Sequence, residues 1–408
     1  MWFTAVAFAG QQVDWVALEA ELIPRVEAAA GREFAEPVEV RVVGPVDLRD
    51  AVGREIVGLT TIMAGELPPE AYRQLRYGSD RWAGHLVGKY LLFEHQVLVS
   101  KVGLKEALAS VRREVPQAEA QALATCVLAH ELTHALQAQH RVMDTAVATG
   151  DRETFVAVNS LMEGHALRVS EQVCRELGHD ELLPALRSQL GADTDSLTPY
   201  ALGDKYLAAH PERAWEEMLR VPHDTADVIW PDREPVPAGP APWDAIDAAA
   251  RHLFDDPPIH ARIGALDLLE LSDDERMREV IRALAAGFAG EAYDGSSTGS
   301  FNVLQFDDAS SARAYYEALH TLRAEQKGSG RIAVSFQPLA PVPGFPDDAA
   351  YHYRGTINFL VGGNVPPLWV EGWVVLDGAR VATIELQQLR RDEDEVLPAL
   401  RALIAPTP

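Results

Sequence analysis

Hydrophobic positions along the chain alternate between a helical and a strand period, and the switches outline its elements. Residues 11–30 read as a helix and Val38–Val43 as a strand. Tyr90–Ser100, rich in Leu, Val and aromatic residues, predicts one strand. Gln117–His140 is rich in Ala, Leu, Gln and Glu with no internal Gly or Pro, and Pro116 stands at its first turn; this predicts one unbroken helix. Leu123, Cys126, His130, His134 and Gln137 fall on one stripe of it. Residues 151–177 predict a second long helix, capped by Asp151 and ended by Gly178. On that helix Val156, Asn159, Glu163, Leu167, Ser170 and Cys174 share a face.

Farther along, residues 196–290 read as mainly helical, interrupted by the Pro-rich stretch Trp230–Pro242. After Gly295–Ser300 the pattern changes. Strands are expected at Phe301–Phe306, 331–336, 351–360 and 368–376, and Asp377-Gly378 turns into a hairpin strand at 380–387. Helices are expected at Ala309–Glu325 and 393–404. The fold class is therefore α+β, with three regions: 1–190, a helical middle at 191–294 and a C-terminal α+β domain at 295–408.

Composition narrows the function classes. With 408 residues and 47% apolar content the chain has ample core for more than one domain. A net charge of −25 argues against nucleic acid or an anionic membrane as partner. No apolar run reaches transmembrane length. The start, Met1–Gly10, is apolar and ends in a signal-like Ala-Phe-Ala but lacks a basic n-region, so export is slightly favoured over a cytoplasmic location. Cys126 and Cys174 are expected as buried thiols rather than as a disulfide.

The candidate chemistry sits at His130-Glu131-Leu132-Thr133-His134. On a helix the two imidazoles lie ~40° apart and one turn of rise separates them, so both can bind one ion. Glu131, at the rim of the same face, can take a proton from a metal-activated water. A catalytic zinc needs a third protein ligand and an open position. His140 completes a His-Glu-x-x-His-x-x-Gln-x-x-His spacing, but in a continuing helix it lies ~240° around from His134 and ~9 Å farther along, so it is rejected. Glu163 is the better candidate, a carboxylate on an otherwise weakly polar stripe. His165 points ~200° away from Glu163 and is expected in a supporting role, and Asn159, one turn before Glu163, is a candidate to orient a ligand. Gly164 costs helix stability, which implies close packing at that point. For an oxyanion donor the candidates are Tyr200, Tyr206 and His210, with Tyr200 preferred.

His130-Glu131-Leu132-Thr133-His134-Ala135-Leu136-Gln137 followed by Glu163-Gly164-His165-Ala166 resembles the gluzincin zinc metallopeptidases, and within them a set of bacterial proteins with the same signature. The resemblance covers about residues 120–170. It implies a zincin-like catalytic region at 1–190, completed by the helical middle, and one Zn(2+) per chain on His130, His134 and Glu163. It also implies a zinc-bound water activated by Glu131, and hydrolysis of a peptide or protein substrate whose extended backbone lies along an edge strand, for which 90–100 is the candidate. The chain departs from the thermolysin-like pattern in the long spacer between His134 and Glu163, and in Leu167 where those relatives carry an Asp. The rival reading is a non-catalytic binding or scaffold protein with a vestigial or structural metal site. Glu131 argues against it, because a structural zinc needs no base.

Overall fold

The computed structural model describes residues 13–64, 72–73, 75, 86–100, 117–190, 192, 198–220, 224–232, 241–256, 258–269, 275–294, 297–325, 332–359 and 367–405. The signal-like start, Pro116 and most of the Pro-rich stretch lie outside these residues. The fold is α+β, as expected. The chain separates into two compact units, one of Met1–Thr60, Arg73–Thr149 and Phe155–Pro222, the other of Thr61–Tyr72, Gly150–Thr154 and His223–Pro408. The expected break at 294/295 instead falls within a hairpin, where Asp294 pairs with Ser297.

In the first unit, α1 (Trp15–Ala30), β1 (Glu39–Val43) and α2 (Pro45–Ala64) precede a hairpin of β2 (Gly88–Leu91) and β3 (Gln96–Ser100). Then come α3 (Gln117–Gln139), α4 (Val142–Thr149), α5 (Arg152–Glu176), α6 (Leu183–Gln189), α7 (Pro199–Ala209) and α8 (Ala214–Arg220). The single strand expected at 90–100 is thus two antiparallel strands. The chain reverses at Leu92–His95 without Gly or Pro, and His95 takes the left-handed conformation (φ 51°) that His tolerates better than most residues. The sheet order is β1-β3-β2, with β1 parallel and β2 antiparallel to β3, so β2 is an edge.

Helix α3 is the centre of this unit. Rather than one apolar stripe, it is buried nearly all round from Ala122 to Gln137. Leu128, Leu132 and Leu136 pack with Leu22 and Val26 of α1, Val97 and Val99 of β3, and Val169 and Val173 of α5. Its two buried threonines are satisfied within the helix, Thr125 Oγ1 donating to Gln121 O and Thr133 Oγ1 to Ala129 O, both at 2.8 Å. Helix α5 begins where Asp151 accepts from Glu153 N at 3.2 Å and ends before Gly178 (φ 78°), matching the expected caps. Cys126 and Cys174 are joined as a disulfide across α3 and α5, with Cα atoms 5.7 Å apart, which corrects the expectation of free thiols.

The second unit has α9 (Thr225–Ile229), α10 (Trp243–Arg251), β4 (Ile259–Ile263), α11 (Ala265–Leu269), α12 (Glu275–Ile281), β5 (Leu284–Asp294), β6 (Ser297–Phe306) and α13 (Ala309–Glu325). It continues with β7 (Ile332–Phe336), β8 (Ala340–Pro341), β9 (Ala350–Phe359), β10 (Leu368–Asp377), β11 (Arg380–Gln387) and α14 (Glu393–Ile404). The strands form an antiparallel sheet in the order β4-β5-β6-β11-β10-β9-β7, with β8 on β9. One face, with Phe288, Phe301, Trp373 and Ile384, packs on Ile246 of α10 and Val396 and Leu400 of α14. The other face presents Tyr353 and Glu385 to Arg323 of α13. Strands β4 and β5 lie where helix was expected: the Ala-rich β5 has weak strand propensity and is held by ladders on both sides. Among the described residues no helix is long and apolar enough to cross a membrane.

Candidate metal centre

His130 and His134, one turn apart on α3, meet Glu163 of α5 at a single point. His130 Nε2 lies 3.1 Å and His134 Nε2 3.2 Å from Glu163 Oε2, and the two Nε2 atoms are 3.1 Å apart. The three form a group that could hold a metal ion. Ligand atoms ~2.0–2.1 Å from a tetrahedral zinc stand ~3.3 Å apart, and the observed triangle has nearly those edges. The donor set of two imidazoles and one carboxylate is also one that zinc accepts. Both side chains facing Glu163 and the carboxylate itself are 12% exposed or less. Burial works against the Glu163 charge, but His134 and His130 outweigh it and hold the carboxyl well below its usual range. Burial likewise opposes a charge on His134, and Glu163 reverses that and raises its pKa.

Around this triangle the first unit supplies further groups. Glu131 is buried, and its Oε2 accepts from Tyr90 N at 2.6 Å. Because Ser100 N donates to Val87 O, the register turns the Gly88 and Tyr90 backbone groups away from β3, so Glu131 engages the outer edge of β2. Lys89, on the same strand, feels burial, which lowers its pKa; the charges of Glu55, Glu131 and Glu163 outweigh it and raise the pKa overall.

Tyr200 reaches the site through a backbone contact. A Cβ on Gly164 would stand 2.1 Å from Gly203 C, and one on Gly203 would stand 1.8 Å from Ser160 O, so α5 and α7 cross where neither can carry a side chain. Gly203 is one turn beyond Tyr200, and the crossing sets the Tyr200 ring 5.9 Å from that of His130. Burial first, then the carboxylates Glu163 and Glu131, drive its phenol well above the usual value, so Tyr200 is a neutral O–H donor. Arg187 braces α7 by bonding Asp204 at 3.0 Å and Glu171 of α5. The other oxyanion candidates sit elsewhere: Tyr206 donates to Glu217 at 3.0 Å, and His210 packs on the Tyr206 ring.

His140 Nε2 faces Glu33 O at 3.0 Å and its ring meets Trp215, so it stays apart from the triangle. His165 lies beneath the site. Burial, then the neighbouring His134 and Arg168, push its pKa down to about 3. The contact on His134 comes from Gln137 instead of Asn159: His134 Nδ1 is 2.8 Å from Gln137 Oε1. Gln137 Nε2 lies 2.9 Å from Met162 O and 3.1 Å from His165 Nδ1. In the sequence Gln137 lies on the α3 stripe with nothing to mark a role, and neither Lys89 nor the Tyr90 amide stands out. Only the His134–Gln137 spacing of three could have pointed to the first of these.

A cavity of about 440 Å³ opens beside His130, Glu131 and Tyr200. Its walls are largely leucine, from Leu123 on α3 and Leu167 on α5 to Leu183, Leu186 and Leu190.

No family model matches the chain, and no curated protein matches it. Among solved structures, the extracellular domain of PknH from Mycobacterium tuberculosis aligns at 11% identity with a TM-score of 0.25, covering 36% of this chain and 81% of that one. A likeness that low carries no argument about fold or function.

Proposed function

We propose that the protein is a zinc-dependent hydrolase of peptide bonds, with a zincin-like catalytic region in its first unit. The observation that carries the reading is the convergence of His130, His134 and Glu163 with Glu131 alongside, beside a cavity that His130 and Glu131 help to line. A bound zinc would polarise the scissile carbonyl and lower the pKa of water towards neutrality. Glu131 takes the proton from the attacking water and delivers it to the leaving amine. The Tyr90 amide fixes the orientation of its carboxylate. Tyr200, kept neutral, donates to the developing oxyanion. Tyr90 N being held by Glu131, the Gly88 backbone groups on the outer edge of β2 would meet an extended substrate, and the leucine-walled cavity takes an apolar side chain next to the cut bond. The disulfide suits an oxidising compartment, which supports export.

The test is Glu131→Gln with metal content measured alongside. Zinc should be retained while turnover of a mixed peptide library falls by about 10²–10⁴-fold, the range for losing a general base. Tyr200→Phe should cost about 10²–10³ in kcat with KM little changed. A wild-type protein that binds zinc but cleaves no peptide would favour the scaffold reading.

A further inference from the structure

We infer that Gln137 is a positioning residue: its amide locks His134 into the form that carries its proton on Nδ1, and ties that ligand to the backbone bearing Glu163. This rests on the metal reading of the site.

The bonding leaves one consistent assignment. The Met162 carbonyl 2.9 Å from Gln137 can only accept, so the NH2 end of the amide faces it. That puts Oε1 against His134 Nδ1 at 2.8 Å, and an amide oxygen can only accept, so Nδ1 must carry hydrogen. The second N–H of the amide reaches His165 Nδ1 at 3.1 Å, which must then offer a lone pair. Every polar group of Gln137 is used, and the side chain is fully buried, so no solvent competes for these bonds. With its proton fixed on Nδ1, His134 has Nε2, the atom that faces Glu163 and His130, left to offer its lone pair to a metal, as a ligand requires.

The location adds a second constraint. Met162 immediately precedes Glu163, so this single amide joins the two ligand-bearing helices at the residue next to the carboxylate. A carboxylate at 137 would accept from His134 but could not, when ionised, donate to Met162 O. An apolar residue would do neither, and would leave His134 Nδ1–H without its acceptor in the core.

Two variants and three readouts test the assignment. Cobalt affinity is measured by chelator competition on wild type, Gln137→Leu and Gln137→Glu, with melting temperatures of the metal-free forms. Gln137→Leu should bind cobalt about 10–100-fold more weakly, the usual effect of losing a partner behind a ligand. Gln137→Glu, which keeps the acceptor, should recover most of that affinity even though its buried charge lowers the melting temperature. In ¹⁵N-imidazole NMR of the metal-free wild type, His134 Nδ1 should carry a slowly exchanging proton that is lost in Gln137→Leu. Wild-type cobalt affinity in Gln137→Leu, equal weakening in both variants, or an unprotonated Nδ1 would overturn the inference. A wild type that binds neither cobalt nor zinc would instead defeat the metal reading, and the NMR result would still decide the tautomer.

Discussion

Each unit buries a histidine against a glutamate, and the two contacts are finished differently. In the second unit His352 Nε2 lies 2.8 Å from Glu371 Oε1, and Arg354 Nε donates to the same oxygen. Burial opposes the Glu371 charge, and the bonds from His352 and Arg354 outweigh it and lower its pKa. The guanidinium can only donate, so this cluster is closed by its own cation. In the first unit Glu163 meets two imidazole nitrogens that also face each other at 3.1 Å, with no guanidinium among its described hydrogen-bond partners. A triangle of atoms that can all offer lone pairs is one that a cation from outside could complete. Both sites bury a His–Glu contact; what distinguishes them is whether the third member is a permanent cation or a second imidazole, with the neutral Tyr200 hydroxyl as a further donor to Glu163.

The largest effect that could break this comparison is on metal binding. Glu163→Ala should weaken zinc binding by more than about 100-fold, since partners behind a ligand are already worth 10–100-fold. Glu371→Gln should leave zinc affinity unchanged and lower the stability of the second unit by about 1–3 kcal/mol, the cost of unpairing buried groups. Calorimetric zinc titration and thermal melts of both variants would separate the two sites, and equal zinc affinities would erase the distinction.

A smaller effect is expected at the helix crossing. Gly203→Val would push a side chain into Ser160 O, so α5 and α7 must separate at a cost of about 1–3 kcal/mol or more. The melting temperature should fall, and an unchanged melt would mean that the crossing is looser than described.

A pH dependence is also expected, and it belongs to the second unit. Glu153 is raised to about 8, first by burial and then by Asp267, while its Oε2 accepts from Thr225 N at 3.3 Å and Oγ1 at 2.9 Å. Its carboxyl ionises near 4.5 when unfolded and near 8 when folded, so its contribution is complete below 4.5 and is lost as pH rises through 8. Glu153→Gln should flatten the stability profile over that window. A wild-type profile that rises from pH 5 to 8 and is unaltered by the substitution would contradict the assignment.

Much of the fold was legible because its longest signals are local. The helices expected at Ala309–Glu325 and 393–404 both match the helices found. The two site helices were legible for the same reason, together with a motif whose spacing brings His130, Glu131 and His134 to one face. What escaped depends on neighbours in space. The Ala-rich β5 is a strand because β4 and β6 flank it, and the 90–100 run folds back at His95 without a glycine to announce it. The cysteines pair because α3 and α5 bring residues separated by 48 positions together. Gln137 is an unremarkable helix former until Met162 and His165 are seen beneath it.

The most direct test of the central claim is zinc stoichiometry and coordination, measured by elemental analysis and X-ray absorption on the purified protein. One zinc per chain with nitrogen and oxygen ligands, lost in Glu163→Ala, is the expected result. No bound zinc, or a shell closed by a fourth protein ligand, would contradict it.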